Sequence, residues 1–135
     1  MKSYSLTRLS NEELRRELSN KAANEKEATA ELLAHIAEFD SRKLYLPAAY
    51  GSMLTYCVGE LGLSEDAAKK RIQVARVARD CPEVLDALSA GRVHLAGLGL
   101  LAPHLGPGTA HELLAAAAGK SKSEIEQVLP ARFPT

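Results

Sequence analysis

Apolar residues in this chain recur at the three- and four-residue spacing of helices, and no stretch shows the period-two alternation of a strand. Ser10 followed three residues later by Glu13 reads as a capping box. It opens a helical pattern that continues without Gly or Pro to about Lys43. Leu14 and Leu18 lie at one end of this long first helix, and Leu32, Leu33, Ile36 and Phe39 at the other, spaced for one helix face. Between them SNKAANEKEATA, residues 19–30, offers only alanines to a core. That middle part must project into solvent, bend, or pack closely on a partner. Glu17 and Lys21 make one correctly oriented i,i+4 pair, worth only about a few tenths of a kcal/mol, so local pairs do not explain the length.

Farther along, LYLPAAYGS breaks the pattern around Pro47 and Gly51, and Ser52 can cap a helix through Met53, Leu54, Cys57, Val58 and Leu61. Gly62 can adopt the positive φ that ends a helix, Leu63 can turn into the core, and Ser64 can cap the next helix. Two helices joined across a three- or four-residue turn have the spacing of a helix-turn-helix. Asp80 and Pro82 punctuate the end of the second, and a short helix with Val84, Leu85 and Leu88 stops at Gly91. A connector over 92–95 leads to an apolar segment over 96–102, and Pro103, Gly106, Pro107 and Gly108 break the chain again. Thr109 with Glu112 and Ser121 with Glu124 supply two further capping boxes, for helices near 111–118 and 122–129, after which PARFPT reads as a linker. The expected fold is all-α: one domain over 1–130 of six or seven helices, with a long N-terminal helix, a central helix-turn-helix, and a tail over 131–135.

Composition agrees with helices and with one domain. The 135 residues are 46% hydrophobic but only 4% aromatic, without Trp, so the core must be built from Ala and Leu-type side chains. No apolar run is long enough to span a membrane and the first residues lack the apolar stretch of a signal peptide, so a cytoplasmic protein is expected. Cys57 and Cys81 have no CxxC spacing and read as buried free thiols.

Lys plus Arg equals Asp plus Glu, 17 against 17, which offers no global basic field for nucleic acid. The charges are nonetheless segregated: 11–40 is rich in Glu, whereas 69–79 contains five cations and no acid. On a helical wheel Lys69, Gln73 and Arg76 share one stripe with Lys70 at its border, opposite Ala67, Ala68, Ile72, Val74, Ala75 and Ala78. Arg and Lys can bond guanine O6 and N7, Gln the adenine edge, and Ser64 with nearby amides can hold a phosphate. An ordinary solvated helix face is the plain alternative, weighted equally on this helix alone. Arg71 and Arg79 fall on the apolar arc, where their stems cover core residues. His35, His94, His104 and His111 share no ligand spacing with one another or with Cys, the glycines form neither GxGxxG nor a Walker loop, and Glu12, Glu13 and Glu17 suit a helix N-terminus. No metal, cofactor or catalytic set is expected.

With LSNEELRREL, the segment from ATAELLAHIAEF through GLLAPHL, and the closing GKSKSEIEQVLPARFPT, nearly the whole chain resembles the helical N-terminal domain of a bacterial HNH endonuclease family. The segment 62–101 also resembles, more weakly, the helix-turn-helix region of ParB-type partition proteins. The His-Asn-His nuclease module is missing, so the resemblance implies a non-catalytic domain that targets or regulates, joined in longer proteins to a nuclease module. Two classes of function follow. One is double-stranded DNA binding by the helix after Gly62, through Ser64, Lys69, Lys70, Gln73 and Arg76. The other is a helical interaction module, with homodimerisation through the alanine-rich first helix.

Overall fold

In the computed structural model, which describes residues 4–133, seven α-helices are joined by turns, and no strand occurs among the described residues. They are α1 (Asn11–Ser41), α2 (Met53–Gly59), α3 (Glu65–Asp80), α4 (Glu83–Ser89), α5 (Leu95–Leu101), α6 (Ala110–Ala117) and α7 (Lys122–Arg132). Three begin with reciprocal capping boxes. Ser10, Ser52 and Ser121 each accept from the backbone amide three residues on, and Glu13, Thr55 and Glu124 bond back to the capping amide. The capping box expected at Thr109 is not formed. Its hydroxyl instead donates to the carbonyl of His104 and accepts from the amide of Gly106, tying off the turn before α6.

The centre of the fold is α3. It packs against α1, α2, α4 and α5, and its Ala68, Ile72, Val74, Ala75 and Ala78 are buried. Small side chains let the surrounding helices come close, while Leu33, Val84, Leu98 and Leu101 fill the remaining space. Only the second half of α1 joins this core, through Ala30, Leu33, Ile36 and Ala37. Every residue from Asn11 to Ala28 is exposed, so most of the alanine-rich stretch projects into solvent, and its end joins the body at half-buried Thr29 and buried Ala30.

Among the described residues three glycines, Gly62, Gly91 and Gly119, take a positive φ. Gly62, at φ +73°, reverses the chain between α2 and α3, and Gly91, at φ +75°, ends the segment containing α4. At Gly97 the reason is space, because a Cβ there would lie 2.7 Å from the Cδ1 of Ile125, where α5 meets α7. The first residues of the expected tail are helical instead. Helix α7 runs through Pro130 to Arg132, and the ring of Phe133 stacks on His104 with centroids 4.2 Å apart. Leu129 accepts from the amide of Phe133 and closes the last turn, while Pro130 costs that helix one hydrogen bond. The last two residues of the tail lie outside the described residues.

Cys57 and Cys81 are buried and free, and burial pushes both thiols up from their ordinary range.

Ile125 is fully buried and is the only buried residue of α7. Ile125→Ala is expected to destabilise the domain by about 2 to 5 kcal/mol in denaturant unfolding. Glu13 and Glu124 are held below the ordinary carboxylate range, first by bonds from the amides of Ser10 and Ser121 and then by the serine hydroxyls. Their ionised forms are favoured by the fold. The contribution is therefore full at neutral pH and lost as pH falls through the lowered values. Amide hydrogen exchange should show the first turns of α1 and α7 opening before the core on acidification, and Glu13→Gln with Glu124→Gln should remove much of that pH dependence.

Candidate nucleic-acid interface

Helix α2 ends where Gly62 turns the chain, the amide of Leu63 bonds back to the carbonyl of Cys57, and half-buried Leu63 packs on the core. Ser64 then caps α3, its Oγ accepting from the amide of Ala67 at 3.2 Å. The turn expected from sequence is thus present. The wheel expected for α3 holds as well: Lys69, Lys70, Gln73 and Arg76 are exposed, and the aliphatic side is buried. Lys69, Gln73 and Arg76 of α3 face Met53 and Leu54 of α2 and its cap Ser52 across a shallow groove of about 570 Å³. The five expected site residues therefore belong to one helix and its cap, with three of them along one groove.

Electrostatics changes the picture of a purely cationic stripe. The guanidinium of Arg76 meets the carboxylate of Asp40, near the end of α1, in two parallel bonds: Nε to Oδ2 at 2.9 Å and Nη2 to Oδ1 at 3.1 Å. Asp40 is only 12% exposed, against 59% for the Arg76 side chain. The hydrogen bonds from Arg76 to Asp40 hold that guanidinium even more firmly protonated. Lys69 pairs with Glu65 one turn back at 3.0 Å, which raises the lysine further above its ordinary range. Lys70 makes no ion pair among the described residues. Its stem runs beside Gly99 of α5.

Ser64 serves first as the cap of α3. Its oxygen accepts from the amide of Ala67 and its hydroxyl proton is left to donate, while exposed Glu65 and Asp66 stand in the same helical turn. Arg71 and Arg79 do cover the core side as expected. The Arg71 guanidinium donates to the carbonyl of Ala67, and that of Arg79 to the carbonyl of Ala37, with Glu38 at 3.8 Å.

The residue that sequence reasoning missed is Asp40. It stands 36 positions from Arg76 in the chain, so no helical spacing links the two. The signal available was a single acid set among Ile36, Ala37 and Phe39 near the end of an otherwise apolar helix face. The paired oxygens of Asp40 take the Nε and Nη2 edge of the guanidinium, and Nη1 keeps its donors for other partners. Arg76 is thus both neutralised and oriented.

Among the described residues no cluster of three or more His, Cys, Asp or Glu side chains is placed to hold a metal ion, and no helix is long and apolar enough to cross a membrane. The chain matches no known protein family, no curated protein and no solved structure.

Because both partners are at least partly solvated, the Arg76–Asp40 pair is worth modestly more than a surface contact at most. A double-mutant cycle with Arg76→Ala and Asp40→Ala is expected to give a coupling of about 0.5 to 1 kcal/mol in urea unfolding, shrinking as salt is added.

Proposed function

We propose that this chain is a non-catalytic module that binds double-stranded DNA through α3. The observation that carries the reading is the exposed strip of Lys69, Lys70, Gln73 and Arg76 on a helix that follows a Gly62 turn and buries its aliphatic side in the core. Gln73 presents an amide suited to an adenine edge, and Lys70 a point charge suited to a phosphate. Arg76, backed by Asp40, offers its outer fork to a guanine in a fixed orientation. Buttressing of this kind costs long-range attraction, since the pair carries no net charge, and gains pre-organisation. The resemblance to the N-terminal domain of HNH endonucleases supports the same reading. It assigns the module a targeting or regulatory role beside a nuclease carried elsewhere. Pairing of two copies along α1 would let the module match two half-sites.

The test is a titration of fluorescent duplex DNA over a range of salt. With two of the strip's cations engaged by Glu65 and Asp40, the logarithmic salt slope is expected to be small, about one to three. Lys70→Ala should weaken binding to every sequence and lower that slope by about one, whereas Gln73→Ala should cost roughly 1 to 3 kcal/mol only on preferred sites. Combined replacement of Lys69, Gln73 and Arg76 by Ala, with helicity retained and affinity unchanged, overturns the assignment. The module alone is expected to leave DNA uncut with magnesium, manganese or zinc present.

A further inference from the structure

A helix with no tertiary packing is marginal in water, because most helical stability in proteins comes from burying an apolar face. The N-terminal half of α1 has a capping box but no such burial. Leu14 and Leu18 are 43% and 67% exposed there. Their direction is informative. Leu18 and Ile36 are separated by about five whole turns, and Ala22 and Leu33 by three turns to within about 20°, so the exposed leucines continue the face that α1 buries in the core. The helix therefore carries its packing face past the end of the body that should cover it.

We propose that a second copy of this chain covers that face, the two α1 overhangs lying antiparallel with a twofold axis beside Leu18. This register sets Leu18 against Leu18 of the second copy and Leu14 against the small Ala22. It also brings Glu17 of each copy beside Lys21 of the other. Charge supports a self-complementary partner. Residues 11–28 hold five acids and four bases interspersed, so the overhang has almost no net field for a strongly charged ligand but pairs well with its own reverse. The i,i+4 pair expected of Glu17 and Lys21 is not formed among the described residues, which leaves both for the second copy. The interface is short, so dissociation on the order of 100 µM is expected. Pairing does not require DNA, and its test is separate from that of α3.

Sedimentation equilibrium of the full chain without DNA should show the mass rising from 14.5 kDa toward twice that value as concentration increases. Leu18→Glu should hold the protein at monomer mass while leaving the unfolding midpoint nearly unchanged, because the residue is exposed within its own chain. Glu17→Lys alone should weaken association at least several-fold. The double variant Glu17→Lys with Lys21→Glu should restore it. Mixing Leu14→Cys protein with Ala22→Cys protein should give a covalent heterodimer on mild oxidation, since the native thiols are buried. A concentration-independent monomer mass overturns the proposal, and so does association that Leu18→Glu leaves intact. Crosslinking confined to Leu14→Cys with itself would mean a parallel pair and would overturn the register.

Discussion

The whole fold depends on how closely four helices can approach α3. Ala68, Ala75 and Ala78 supply the contact surface on much of its buried side, and each removes little apolar area from water by itself. Their value is proximity. With no long side chain in the way, α1, α2, α4 and α5 come near enough for Leu33, Val84 and Leu98 to fill the gaps in a chain without Trp. A core of this kind has little slack, because the surrounding helices share one narrow centre.

That enclosure also decides what α3 can offer to the outside. A helix packed by four neighbours has only one strip left, and on this strip Glu65 and Asp40 answer two of the cations. The arrangement reconciles a neutral chain with a local set of readers. On the proposed function, attraction from a distance would be weak and recognition at contact would rest on fixed donors. The side chain that fixes Arg76 comes from α1, so the proposed reading surface is assembled from two distant parts of the sequence.

Elements signalled by local chemistry were legible in the sequence. Ser10 with Glu13, Ser121 with Glu124, and the Gly62–Ser64 pair each place a hydrogen-bond acceptor or a positive φ at a fixed offset, and the helices begin and end there. Where a side chain had two possible partners, local spacing was insufficient. Thr109 has the offset of a cap to Glu112, yet the carbonyl of His104 and the amide of Gly106 compete for its hydroxyl and win. The end of α7 was hidden for a similar reason: Pro130 signals a stop, but stacking of Phe133 on His104 accompanies a helix that continues to Arg132. On the candidate site, the exposed stripe followed from helical periodicity alone. Its ion pairs divide by distance: Lys69–Glu65 is a four-residue spacing, whereas Arg76–Asp40 exists only because α1 and α3 are packed together.

Helix α1 is a lever as well as a scaffold. Its 31 residues give it a length of about 46 Å, with the core gripping only the C-terminal half. Asp40 sits near the gripped end and clasps Arg76, so the helix that carries the long arm also holds the strip on α3, beside the core packing and the Arg79 contacts that join the two helices. A load applied near Asn11 acts tens of ångströms from that clasp, and the buried turns from Ala30 to Ala37 lie between them as the fulcrum.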